Sequence, residues 1–125
     1  MLRVLIVDDN LTNLDLTSRM LLRAGYGVDT AGDGEEGVRM ALQWRYDLIV
    51  MDMSMPGIGG GEATRRIRAL EPMGIRTPIV AMTANVLPEQ VATCMAAGMD
   101  DHLGKPINPS RLLEMVARWG QAEAA

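Results

Sequence analysis

Three stretches of this chain, Arg3-Val4-Leu5-Ile6-Val7, Leu48-Ile49-Val50-Met51 and Pro78-Ile79-Val80-Ala81-Met82, carry apolar runs without period-two alternation. Each run is short for a helix and bounded by charged or turn-forming residues, so each reads as a strand buried on both faces. Such strands need cover on both sides of their sheet, and the intervening stretches have helical signals. Asn10 is placed to cap a helix near Leu11 to Ala24, and Gly25 stops it. Tyr26 to Thr30 is a shorter strand. Asp33, with Glu36 at capping-box spacing, opens a helix from about Gly34 to Gln43. After the Leu48 strand, Pro56 to Gly61 is expected to be a flexible glycine-rich loop, Glu62 to Leu70 a helix, and Glu71 to Arg76 a turn region. Pro88 suits the first position of a helix that ends before Gly98. Met99 to Gly104 reads as a less apolar fifth strand, and Asn108-Pro109 opens a last helix to about Trp119. Strand and helix alternate five times, which predicts an α/β fold with a parallel sheet, helices on both faces and right-handed crossovers.

At 125 residues the chain fits one domain, expected over 1–120, with 121–125 a frayed tail or the start of a linker. The net charge of −4 and a single lysine, Lys105, speak against nucleic-acid binding. No apolar run approaches a membrane span and Met1-Leu2-Arg3 leads straight into a strand, so neither membrane contact by this domain nor a signal peptide is expected. The lone Cys94 lies in an apolar helical stripe and reads as a buried thiol in a reducing, cytoplasmic compartment. Eleven Met and no Phe imply an adaptable aliphatic core.

Four strands present a polar residue at the carboxyl end: Asp8 and Asp9, Asp52, Thr83, and Lys105. In a parallel sheet these ends share one edge, where open α/β sheets place their ligand sites. Carboxylates gathered there repel one another and take up protons unless a cation offsets them. A hard divalent ion such as Mg2+, held by carboxylates, a carbonyl and waters, meets that need. Lys105 adds a cation suited to a phosphoryl oxygen, which makes Asp52 a candidate nucleophile toward phosphorus.

These pieces, Val7-Asp8-Asp9-Asn10, Met51-Asp52-Met53-Ser54-Met55-Pro56-Gly57, Met82-Thr83-Ala84-Asn85 and Lys105-Pro106, resemble in order and spacing the motifs of response-regulator receiver domains, over nearly the whole chain. The resemblance implies a flavodoxin-like, doubly wound five-stranded parallel sheet of order 2-1-3-4-5 with five helices. It also implies that Asp52 is the phosphoacceptor, that Asp9 and the Ser54 carbonyl ligate Mg2+, and that Asp8 contributes largely through water. Thr83 and Lys105 would hold the phosphoryl oxygens, with a cis bond between Lys105 and Pro106. Partners implied are a histidine kinase or a histidine phosphotransfer protein. Such a domain catalyses its own phosphorylation without turning over an external substrate, although a longer parent chain could itself be a histidine kinase. Asp8-Asp9-Asn10 with Asn13, and Ala96-Ala97-Gly98-Met99-Asp100-Asp101-His102 leading to Lys105-Pro106-Ile107, resemble receivers attached to hybrid sensor kinases. His102 stands where the family's best-studied members have Tyr or Phe, so the usual aromatic switch is in question.

Competing readings are weaker at each motif. Gly57-Ile58-Gly59-Gly60-Gly61 fails as a dinucleotide fingerprint, having Glu62 where glycine is needed, and lacks the Gly-Lys pair of a P-loop. His102 has no second histidine with which to bind a metal. An aspartyl-nucleophile phosphatase of the haloacid dehalogenase type wants Asp two residues after the nucleophile and meets Ser54, while a pseudo-receiver interaction module would not need the complete acidic set. Trp44 and Trp119 read as packing residues. On the first helix, about 100° of rotation per residue places Leu16, Thr17, Met20, Leu21 and Ala24 toward the sheet and Leu11, Leu14, Ser18 and Leu22 away from it. The outward leucines predict a partner-docking surface near Leu11, Leu14 and Leu22.

Overall fold

A computed structural model describes residues 2–120; the expected tail at 121–125 lies outside the described residues. The elements run β1 (Arg3–Val7), α1 (Leu11–Arg23), β2 (Gly27–Ala31), α2 (Gly34–Gln43), β3 (Leu48–Asp52), α3 (Gly60–Leu70), β4 (Ile79–Thr83), α4 (Pro88–Ala96), β5 (Asp101–Gly104) and α5 (Pro109–Gly120). All strand pairs are parallel and the sheet order is β2-β1-β3-β4-β5.

The unbroken apolar runs have the cause inferred from them. Along β1, β3 and β4 alternate residues enter opposite cores. Val4, Ile6, Leu48, Val50, Val80 and Met82 pack with α1 and α5. Leu5, Val7, Ile49, Met51, Ile79 and Ala81 pack with α2, α3 and α4. Each fully buried side chain of this kind contributes about 2 kcal/mol, so the three central strands hold the carboxyl-end residues on a stiff platform.

The caps fall where the sequence put them. Asn10 Oδ1 accepts from Asn13 N–H, and Asp33 Oδ1 from Glu36 N–H. Glu36 in turn accepts from Gly32 N–H rather than from the N-cap residue itself. Asn108 Oδ1 accepts from Ser110 and Arg111 at the start of α5. Cys94 is buried.

Four expectations are corrected. First, α1 is rotated by roughly 60° from the expected phase: Leu14, Thr17 and Leu21 are buried, whereas Leu16 is half exposed, alongside exposed Leu11 and Leu22. Leu14 therefore belongs to the core and leaves the docking surface. Second, Trp44 is exposed rather than packed, and Tyr46 takes the buried aromatic place; Trp119 does pack, and its indole N–H donates to Asp101. Third, β5 begins at Asp101 because Gly98, at φ +104°, closes α4 and Met99 N–H donates back to Cys94 O. Fourth, α3 begins at Gly60, two residues before Glu62, so the glycine run is partly helical.

Candidate functional site

The carboxyl ends of β1, β3, β4 and β5 form one edge, and the side chains predicted to matter gather there unequally. Asp8 follows β1 and is fully buried, and its Oδ1 accepts from Asn10 N–H at 2.9 Å as the chain turns into α1. Asp9, next to it, is exposed. Asp52 ends β3 with 1% exposure. Ligand oxygens of Asp8, Asp9 and Asp52 lie within 4.8 Å of one another.

Lys105 reaches this cluster from the end of β5. Its N–H donates to Thr83 O at 2.8 Å, its peptide bond to Pro106 is cis, and its Nζ donates to Asp52 Oδ1 at 2.9 Å and stands 3.9 Å from Asp8 Oδ2. Ser54 N–H also donates to Asp52 Oδ1, at 3.2 Å. One oxygen of Asp52 thus accepts two hydrogen bonds. The other, Oδ2, is buried without a partner among the described residues, as is Oδ2 of Asp8. Buried acceptors without partners are costly, and three carboxylates face one ammonium. Burial pushes the Asp52 carboxyl above its ordinary range; the Lys105 and Ser54 hydrogen bonds oppose this, and the Asp8 charge adds to the upward push.

Thr83 ends β4 on the same edge, but its hydroxyl donates to Asn85 O at 3.0 Å and accepts from Asn85 N–H, so it serves the local turn. His102 is partly exposed on β5, with Nδ1 3.7 Å from Asp101 Oδ1. Beside the cluster, Asp8, Thr17, Met20, Met82, Lys105 and Ile107 help line a cavity of about 420 Å3 between α1 and the turn after β5. Leu16 and Met20 continue from it into an open groove flanked by Arg19 and Arg23.

The sequence reading missed Gly60, which packs against the peptide of Asp52. A glycine eight residues after the strand-end aspartate carries no periodic signal; only the bend that brings α3 back to β3 exposes the contact.

The chemistry of this donor set suits a hard cation. The candidate ligand atoms are all carboxylate oxygens, two of the buried ones are unpartnered among the described residues, and the carboxylates outnumber the one cationic side chain that reaches them.

The chain as a whole is similar to known proteins. The family model described as response regulator receiver domain matches residues 4–117. Hybrid signal transduction histidine kinase G of Dictyostelium discoideum is 40% identical over 121 residues, covering 95% of this chain and 4% of that protein. Sensor protein GacS of Pseudomonas syringae pv. syringae is 40% identical over 119 residues, covering 94% of this chain and 13% of that protein. The chain therefore spans a small part of these relatives. Among solved structures, the receiver domain of a Pseudomonas aeruginosa sensor histidine kinase, with a magnesium ion coordinated in its active-site cleft, is 41% identical; the match has a TM-score of 0.88 and covers 97% of this chain and 98% of that one. A chain of the co-crystal structure of the Saccharomyces cerevisiae histidine phosphotransfer signaling protein Ypd1 with the receiver domain of response regulator Ssk1 is 28% identical, with a TM-score of 0.93, covering 99% of this chain and 92% of that one.

Proposed function

The chain belongs to the response regulator receiver domain family, and from that premise we propose that it accepts a phosphoryl group from a partner phosphohistidine onto Asp52 and changes its binding surface as a result. The observation that carries this reading is the division of labour at Asp52: Oδ1 is held by Lys105 and Ser54, while Oδ2, buried and without a hydrogen-bond partner among the described residues, keeps its lone pairs for a phosphoryl group. In the transfer an O–P bond forms at the Asp52 carboxylate, the N–P bond of the donor breaks, and its electron pair returns to the imidazole. Lys105 orients the carboxylate and neutralises charge on the phosphoryl oxygens. The burial of Asp8 and Asp52 strengthens that attraction. The Thr83 hydroxyl, one residue past the register partner of Asp52 on β4, would leave Asn85 to hold a phosphoryl oxygen, and this exchange would carry the modification to the segment before α4.

Asp9, Asp52 and the Ser54 carbonyl would hold Mg2+, with Asp8 acting largely through water. Bound there, the ion supplies charge neutralisation for the carboxylates and for the transferring group.

For the partner, a histidine phosphotransfer or kinase histidine domain, we infer docking on exposed Leu11, Leu16 and Leu22 of α1. Arg23 beside that groove, with Arg19 already paired to Asp15 on the same helix, favours a helix with acidic side chains. In intact-protein mass spectrometry, acetyl phosphate with Mg2+ is expected to add one phosphoryl group, absent in Asp52→Asn. Leu22→Asp is expected to keep that labelling and to slow transfer from a phosphorylated histidine phosphotransfer domain. Undiminished labelling of Asp52→Asn contradicts the site, and equal transfer rates for Leu22→Asp and wild type contradict the docking face.

A further inference from the structure

The peptide that carries Asp52 is gripped from a side that its hydrogen bonds do not reveal. Gly60, the first residue of α3, is buried and donates its N–H to Met53 O at 3.2 Å. A Cβ placed on Gly60 overlaps the Asp52 carbonyl oxygen and comes within 3.0 Å of the Asp52 carbonyl carbon and of Met53 Cα. The first turn of α3 thus rests directly on the 52–53 peptide. On the sheet side that peptide has little room to yield, because Asp52 is in register with Met82 on β4 and Met53 N–H donates to Met82 O at 3.0 Å. Among the described residues no side chain caps α3, whose N-cap is Gly59.

Neighbouring glycines grade the effect. A Cβ on Gly59 would stand 3.1 Å from Met53 O, a tight contact one peptide further on. On Gly61 it would meet nothing nearer than 3.8 Å. On Gly34, at the start of α2, it would also crowd a neighbour, though less closely than at Gly60, standing 2.6 Å from Ile58 Cγ1 and 2.7 Å from its carbonyl oxygen, with no atom of Asp52 among its nearest neighbours. Gly34 is therefore a control for lost stability without direct pressure on Asp52.

We propose that Gly60 is a positioning residue for Asp52: its lack of a side chain lets α3 seat on the 52–53 peptide, and this contact sets the height and turn of the carboxylate relative to Asp8, Asp9 and Lys105. The proposal rests on Asp52 being the phosphoacceptor. An added methyl must displace either the helix or this peptide, and a displacement of about 1 Å at a reacting group can cost on the order of a hundredfold in rate.

The experiment compares Gly60→Ala, Gly59→Ala, Gly61→Ala and Gly34→Ala in the full chain by three readouts: the denaturant midpoint, the Ser54 amide shift by NMR in metal-free buffer, and the rate of labelling by acetyl phosphate with Mg2+. Gly60→Ala is expected to label at least about tenfold more slowly and to shift the Ser54 amide. Gly59→Ala should show the same changes to a smaller degree. Gly61→Ala should match wild type, and Gly34→Ala should lose stability while keeping the wild-type labelling rate and Ser54 shift. Gly60→Ala labelling no more slowly than Gly34→Ala, with Ser54 unmoved, overturns the proposal. If Gly60→Ala does not fold, a wild-type rate and Ser54 shift in Gly59→Ala overturn it instead. Failure of wild type to label at Asp52 contradicts the phosphoacceptor assignment and is thereby distinguished from failure of the Gly60 contact, which the metal-free shift reports independently.

Discussion

The two ends of the sheet each carry a charged cluster, and they are built on opposite terms. At the amino ends of β4 and β5, Arg68 and Arg76 meet Glu71 and Asp100 in equal number. Arg68 donates to Gly98 O, Thr77 O, Glu71 and Asp100, and the remaining carboxylate positions accept from Thr77 N–H, Ile79 N–H and Arg76. At the carboxyl ends, three carboxylates share one lysine, and two buried oxygens have no partner among the described residues. The first arrangement ties α3, β4, the end of α4 and β5 together. The second keeps acceptor capacity open at a cost in stability. Unmet acceptor capacity thus lies at the carboxyl end, while the satisfied amino end ties the scaffold beneath it.

The strongest way to break this contrast is at Arg68. Its removal leaves the largely buried Glu71 and Asp100 short of a cation, and loss of one partner of such a set costs about 3 kcal/mol. Urea unfolding of Arg68→Ala should show that loss. Arg68→Lys should recover only part of it, since one ammonium cannot make the guanidinium's fork of bonds. A wild-type midpoint for Arg68→Ala would remove the base from the account.

A smaller effect sharpens it. Asp29 Oδ2 accepts from Tyr46 Oη at 2.7 Å and from Arg3 at 2.9 Å, a second satisfied cluster. The Tyr46 hydrogen bond, against the opposing effect of burial and with help from Arg3, holds the Asp29 carboxyl below its usual range. Burial, then the Asp29 bond, pushes the Tyr46 phenol well up. A lowered carboxyl contributes stability that is present above the unfolded value of about 3.9 and lost as pH falls through the folded one. A raised phenol contributes stability that is present below about 10 and lost as pH rises through its folded value. Tyr46→Phe is expected to cost about 1 kcal/mol at pH 7, with the penalty shrinking toward pH 3 and again above pH 10. A penalty independent of pH would show that packing alone holds Tyr46.

Much of this was legible in advance, for reasons that also explain the failures. Val4 to Val7 and Leu48 to Met51 announce strands buried on both faces because no other short element tolerates uninterrupted apolar residues, and the polar residues that end them mark the site edge. The face of α1 was misread because Leu11, Leu14, Leu16, Met20, Leu21 and Leu22 surround the helix almost completely, so either of two phases satisfies the pattern. The contact that decides between them is Leu14 and Leu21 against the sheet. Arg68 and Asp100 are 32 residues apart and Gly60 meets Asp52 through a reversal of the chain, so local periodicity holds no trace of either contact. The exposed Trp44 follows the same rule: a large apolar side chain near a helix end invites a packing assignment, yet Tyr46, two residues on, takes the buried place.

The central claim, that the carboxyl edge is held incomplete for a cation and a phosphoryl group, is tested most directly by denaturant unfolding of wild type and Asp52→Asn, first without divalent ions and then with Mg2+. Relief of the repulsion among three crowded carboxylates should outweigh the lost Lys105 bond and make Asp52→Asn more stable than wild type in metal-free buffer, by on the order of 1 kcal/mol. Mg2+ should then stabilise wild type as a ligand of the folded state does and Asp52→Asn much less. An Asp52→Asn variant less stable than wild type without metal, or an equal response of the two proteins to Mg2+, would contradict the account.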